Sequence, residues 1–192
     1  MTDTSTDVTE IRKGHDMDVD KLTSYLMKEI PGFSGPIGIK QFGFGQSNPT
    51  FLLTDSNGQQ YVLRKQPPGK LVSKTAHRVD REYRVMSALA QTDAPVPKTY
   101  CYCDNNDIIG KPFYIMEFVK GRVFQNVLLP EVPKEERAAY WYEAMATMAR
   151  LHNVNVSFNL TIFLVINYYF YNKYLTSINT HTHTLHINIY IV

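Results

Sequence analysis

The order of elements in this sequence predicts an α+β fold: an antiparallel sheet of about five strands with one amphipathic helix packed on it. Three observations carry that prediction. Residues 41–65, QFGFGQSNPTFLLTDSNGQQYVLRK, read as two strands joined by a hairpin. Residues 77–91 have the strongest helical periodicity in the chain, and two further strand-like runs follow them. No alternation of strand and helix long enough for a doubly wound sheet appears.

The elements follow in order. Residues 1–16 are polar and read as an arm without order. Asp18 or Asp20 can cap a helix whose apolar residues Val19, Leu22, Leu26 and Ile30 recur at helical spacing, and Pro31-Gly32 ends it. Ile37 and Ile39 alternate as a first strand that runs into a glycine loop. There Gly43 and Gly45 break the extended run, and Ser47 and Asn48 offer small side chains and backbone N–H groups suited to an anion. A Gly-x-Gly without a third glycine is by itself more often a hairpin or bulge. Thr50–Thr54 is the next strand, Asp55-Ser56-Asn57-Gly58 a turn, and Tyr61–Lys65 a strand closing on two cations before Pro67-Pro68-Gly69.

In the helix over 77–91, Val79, Tyr83, Met86 and Leu89 form the apolar stripe, with Arg78, Asp80, Arg81 and Arg84 around it. Glu82 lies beside the stripe. It is either a surface carboxylate pairing along the helix or an inward partner for the strand cation near residue 64. Pro95 and Pro97 follow. Lys98–Cys103 and Pro112–Val119 read as strands joined by a turn over 104–107, the second apolar enough to be buried on both faces. A last helix over 134–152 carries Ala138, Tyr142, Met145, Met148 and Leu151.

Composition excludes several classes. Twenty basic residues against 18 acidic ones give a net charge of +2 and no basic stripe for nucleic acid. Cys101 and Cys103 lack a second pair and read as reduced thiols on a strand. No targeting signal is evident, which suggests an intracellular, cytoplasmic chain. The apolar run 158–171 falls short of the roughly 20 residues a membrane span needs. His181, His183 and His186 have no carboxylate or cysteine beside them and make a poor metal site. Asn155 and Asn159 match glycosylation acceptors without a secretory context.

Taken together, GQSNPTFLL, YVLRKQPPG, DREYRVMSAL, PVPKTYCYC, IGKPFYIMEFVKGRVF and ARLHNVN resemble, in order, the amino-terminal lobe of the aminoglycoside-phosphotransferase-like kinases. The resemblance is closest to the kinase domain that precedes the dehydrogenase in acyl-CoA dehydrogenase family members ten and eleven. It implies a protein-kinase-like lobe over 17–153, with an αC-type helix and an ATP cleft. Gly43, Gly45, Ser47 and Asn48 would cover the triphosphate. A strand cation fixed by Glu82 would hold the α- and β-phosphates. Only one of Arg64 and Lys65 can point into the cleft, and the family's YVLR pattern favours Arg64, with Lys65 on the outer face. Met116, Glu117 and Val119 would form the hinge, backbone groups at Glu117 and Val119 reading the adenine edge. ATP and magnesium are the implied cofactors, and the dehydrogenase-linked family implies mitochondrion or peroxisome for the complete enzyme.

The catalytic carboxylates of such kinases have no counterpart here. The last aspartate is Asp107 and the last acidic residue Glu143, so nothing later in the chain can hold magnesium or orient a hydroxyl. Residues 154–192 contain no Gly or Pro and one cation, Lys173, and read as a non-native, aggregation-prone translated tail. The expectation is a truncated phosphotransferase lobe, inactive alone, whose complete form phosphorylates a small hydroxylated substrate such as a hydroxyacyl-CoA in fatty acid catabolism. The alternative is a non-catalytic fragment that binds nucleotide or a partner, or self-associates through its exposed lobe interface and tail.

Overall fold

The computed structural model describes residues 8–43, 48–69, 77–121, 124 and 126–154. Its elements are β1 (Val8–Thr9), α1 (Val19–Glu29), β2 (Gly38–Phe42), β3 (Thr50–Thr54) and β4 (Gln60–Lys65), then α2 (Val79–Leu89), β5 (Thr99–Cys103), α3 (Asn106–Ile109), β6 (Phe113–Glu117) and α4 (Arg137–His152). The strands form one sheet in the order β1-β2-β3-β4-β6-β5. Every neighbouring pair is antiparallel. The predicted α+β class therefore holds, with a sixth strand added.

Over residues 8–16, that sixth strand corrects the reading of residues 1–16 as an arm without order; residues 1–7 lie outside the described residues. Val8 and Thr9 pair with Phe42 and Gln41, and Arg12 and His15 hydrogen-bond to the Gln41 side chain. The reason is an unmet edge: β2 would otherwise present a row of unpaired backbone groups. Val and Thr are good strand formers, and the buried Gln41 supplies side-chain partners that composition alone does not reveal.

The chain divides into two compact units, Met1–Arg84 with Pro97–Gly121, and Val85–Val96 with Arg122–Val192. The first contains the sheet. Period-two alternation sorts its strands into two faces. Phe51, Leu53, Tyr61, Leu63, Phe113 and Ile115 join Leu22, Leu26 and Ile30 of α1 in the apolar core. Thr50, Leu52, Val62, Arg64, Tyr114 and Met116 alternate with them and so occupy the other face. Phe113–Met116 is buried on both faces, as its unbroken apolar run predicts. Cys101 and Cys103 turn into the core, where burial pushes the Cys101 thiol up to about 12. An un-ionised buried thiol is chemically quiet.

Local signals decide where the elements begin and end. Asp18, rather than Asp20, caps α1 by accepting the Lys21 N–H at 3.0 Å, the main reason its carboxyl is held below the usual range. In the β3–β4 turn Asp55 Oδ1 accepts the N–H groups of Asn57 and Gln59, while Gly58 takes φ +80°. The predicted turn at 104–107 is instead the start of α3. Asn105 caps that single turn by accepting the Asp107 N–H, and Gly110 closes it at φ 81°.

In the second unit, Val85, Leu89 and Ala94 form a small core against which Ala88, Val96, Leu151 and Val154 pack. Phe124 meets Tyr140 edge-on, with ring centroids 5.4 Å apart. The apolar residues of the last helix stay largely uncovered. No residue of α4 is buried, and Tyr142 is 72% exposed.

Candidate functional site

Antiparallel register builds the site before any side chain is considered. Arg64 is the Cα partner of Thr50 on β3 and of Tyr114 on β6. One row across the sheet thus reads Thr50, Arg64, Tyr114, and side chains directly opposite on one face are near enough to interact. Over this row lies α2, on which Val79, Glu82, Met86 and Leu89 follow at three- and four-residue steps. Three of these four are apolar and fully buried, and Glu82 is the polar member. Its inward position means that it had to find donors.

It has three. Arg64 Nε donates to Glu82 Oε2 at 2.8 Å, and the Tyr114 hydroxyl donates to the same oxygen at 3.3 Å. Asn48 Nδ2 donates to Oε1 at 2.9 Å. The Arg64 and Glu82 side chains are only 9% and 8% exposed, so this is an interior ion pair. Such pairs survive desolvation when further hydrogen bonds satisfy both partners. Arg64 Nη1 also donates to Thr50 Oγ1 at 3.3 Å, so among the described residues two of its five N–H donors are used.

Hydrogen-bond logic fixes one proton. Because Asn48 Nδ2 must donate to a carboxylate, its Oδ1 faces His77 Nδ1, 3.0 Å away. That imidazole nitrogen therefore carries hydrogen. His77 sits at φ 58°, a left-handed conformation uncommon outside glycine, at the start of α2. The buried Asn48 thus ties the end of the glycine loop to Glu82 of α2 and to His77 just before it.

Of the residues singled out in the sequence, Arg64, Glu82 and Asn48 come together. Asn48 does so through its side chain, whose amide the interior carboxylate claims. Lys65 lies on the other face, where alternation sends it, yet it is 5% exposed and not a solvent-facing residue. Burial pushes its ammonium below the ordinary lysine range, the Asp16 carboxylate opposing and the Lys111 cation adding to the effect. Gly43 offers its carbonyl to the Arg12 guanidinium at 3.1 Å. Gly45 and Ser47 lie outside the described residues.

The segment read as a hinge begins on the Arg64 face with Met116, 4% exposed. Glu117 donates its N–H to the Lys98 carbonyl at 2.7 Å, while its carboxylate accepts the Lys98 N–H at 3.1 Å. Val119 is exposed. Thr50, His77 and Tyr114 were missed in the sequence. Tyr114 stood inside an apolar run with nothing to mark its hydroxyl as used; only its register with Arg64 could have done so. No group of three His, Cys, Asp or Glu that could hold a metal ion occurs among the described residues, and no helix there is long and apolar enough to cross a membrane.

Residues 38–163 match the profile of the phosphotransferase enzyme family. Acyl-CoA dehydrogenase family member 11 of Rattus norvegicus is 42% identical over 158 residues, covering 80% of this chain and 20% of that protein. The Gallus gallus protein of the same name is 44% identical over 151 residues, 77% of this chain and 19% of its own length. The chain spans about one fifth of the length of these curated relatives. Among solved structures, a candidate aminoglycoside phosphotransferase from Ralstonia eutropha aligns with a TM-score of 0.62 and 42% identity, over 73% of this chain and 40% of that one.

Proposed function

The chain belongs to the phosphotransferase enzyme family, and from that premise we propose that residues 17–153 hold the nucleotide of an ATP-dependent phosphotransferase. The observation that carries this reading is the interior Arg64–Glu82 pair. A carboxylate with three donors fixes the guanidinium at Nε, leaving N–H groups whose geometry suits phosphate oxygens. Arg64 binds the α- and β-phosphates, and the loop of Gly43, Gly45, Ser47 and Asn48 covers the triphosphate. The base lies against Met116, with backbone groups of Glu117 and Val119 reading its edge. Since the Glu117 N–H is already given to Lys98, its carbonyl is the group that accepts from the base.

Transfer itself requires an acceptor hydroxyl to attack the γ-phosphorus while the bond to the β–γ bridging oxygen breaks and ADP leaves. A carboxylate must orient that hydroxyl, and others must hold magnesium on the triphosphate. No acidic residue follows Glu143 in these 192 residues. On this reading these 192 residues hold nucleotide without turning it over. The acyl-CoA dehydrogenase names of the relatives make a hydroxylated acyl thioester the acceptor that fits best.

Calorimetric titration of the full chain with Mg-ATP tests the reading. Saturable binding lost in Arg64→Ala and kept in Lys65→Ala is expected, with no release of ADP on prolonged incubation. A cooperatively folded protein that binds no Mg-ATP would overturn it.

A further inference from the structure

The hydrogen bonds around Arg64 close on themselves. Arg64 Nε donates to Glu82 Oε2 at 2.8 Å, and Glu82 Oε1 accepts from Asn48 Nδ2 at 2.9 Å. The Asn48 carbonyl accepts the Thr50 hydroxyl at 3.1 Å, and Thr50 Oγ1 accepts in turn from Arg64 Nη1 at 3.3 Å. Arg64, Glu82, Asn48 and Thr50 thus make a closed circuit. It grips the guanidinium at Nε and at Nη1, and the direction of the remaining N–H groups follows from that grip. Both routes into the guanidinium pass through Asn48.

Asn48 is 2% exposed, so the polar atoms of its amide need partners from the protein. Among the described residues Glu82 meets its Nδ2, and His77 Nδ1–H donates to its Oδ1 at 3.0 Å. Without that donor the buried Oδ1 is left unsatisfied. The side chain relieves the cost by rotating, which releases Glu82 Oε1 and opens the circuit.

His77 reaches Asn48 from a strained backbone, with φ at 58°. Such a conformation persists only where the surroundings over-determine it, and it collects at functional sites. Glycine or asparagine would take it more cheaply. What histidine offers and glycine lacks is a ring N–H that meets the Asn48 amide.

We propose that His77 is a positioning residue of the phosphate site: it holds the Asn48 amide, and through Asn48 it aims the remaining Arg64 N–H groups at the phosphates of the nucleotide. The inference rests on the nucleotide reading above and adds what aims its cation.

Two variants separate the donor from the backbone. Glycine suits a left-handed position, so His77→Gly removes the imidazole without adding strain. Asparagine tolerates the same conformation, and its Nδ2 lies as many bonds from Cα as histidine Nδ1, so His77→Asn returns the donor. The full chain is titrated with Mg-ATP and with magnesium tripolyphosphate, which has the phosphates and lacks the base. His77→Gly is expected to weaken both probes equally, about threefold to tenfold, and His77→Asn to stay within about twofold of wild type. The Arg64 Nε–H resonance in nitrogen–proton NMR spectra reads the aim of the guanidinium directly. It is expected to move in His77→Gly and to return in His77→Asn. A loss confined to one probe, a loss that asparagine does not restore, or an Arg64 resonance unmoved in His77→Gly overturns the inference and leaves the nucleotide reading standing. Wild-type protein that binds neither probe overturns the nucleotide reading itself, and the inference with it.

Discussion

Arg64 and Lys65 are adjacent cations on one strand, nearly equal in exposure at 7% and 5%, and their situations differ completely. Arg64 meets a carboxylate from α2, a tyrosine from β6 and a threonine from β3. Lys65 points to the α1 side and has its charge disfavoured by burial. Strand geometry imposes the division, because consecutive residues cannot share a face. The two faces then treat their cations differently: one brings a helical carboxylate to the charge, the other mostly hydrocarbon. Burial alone therefore does not tell the two cations apart; the partners do.

The largest test of this contrast removes one half of the ion pair. Arg64→Ala leaves Glu82 buried without its cation and is expected to cost about 3–5 kcal/mol in urea unfolding, as is Glu82→Ala. The double variant Arg64→Met with Glu82→Leu is expected to recover most of that loss, because it leaves no buried charge uncompensated. Recovery of stability without recovery of nucleotide binding would separate the pair's structural role from its chemical one. Equal losses that simply add in the double variant would show that the two residues do not act as a unit.

A smaller effect is expected at Tyr114. Tyr114→Phe removes one of three donors to Glu82 and should cost roughly 0.5–1.5 kcal/mol, read as a shift in denaturation midpoint at unchanged slope. A change above that range would make the hydroxyl more than a supporting contact.

Lys65 sharpens the comparison from the other side. Lys65→Met is expected to be within about 1 kcal/mol of wild type at neutral pH, or more stable, since it relieves a desolvated charge. The sign of the pH dependence follows from its lowered folded-state pKa. Between the folded and unfolded values the unfolded chain binds more protons, so this group's contribution makes stability rise with pH. Below the folded value its destabilising contribution is fully present. Subtracting the Lys65→Met profile from wild type on the alkaline side of neutrality should leave this rise; a flat difference would mean the ammonium is compensated. The thiol of Cys101, pushed up to about 12, acts oppositely, since above the ordinary thiol range the unfolded chain loses a proton that the folded chain keeps. The smallest expected effect is therefore Cys101→Ala flattening a weak alkaline loss of stability.

Much of the fold was legible because its signals are local. The Asn-Gly turn, the Pro-Gly stop after α1, the period of α2 and the apolar run of β6 each act within a few residues. The arm was misread because the partner that orders Val8 and Thr9 lies more than thirty positions away, on β2. Along α4, likewise, periodicity shows which residues would share a face, and not whether anything covers it. At the site, Glu82 could be paired from the sequence with a strand cation, the family's pattern favouring Arg64 over Lys65. His77, Thr50 and the Tyr114 hydroxyl could not, because their roles depend on register and not on residue type.

By itself the sequence determined the α+β class, the succession of elements, the opposed directions of Arg64 and Lys65, and the absence of acidic residues after Glu143. These follow from chain stereochemistry and from composition, which need no distant partner. Only the tertiary structure decided which cation meets Glu82, that Asn48 and Tyr114 complete its hydrogen bonds, and that residues 8–15 hold the strand bearing Phe42. Those outcomes come from contacts between residues 14 to 34 positions apart. Burial then compels each polar group to find a partner, and the register of the sheet settles which partner is within reach.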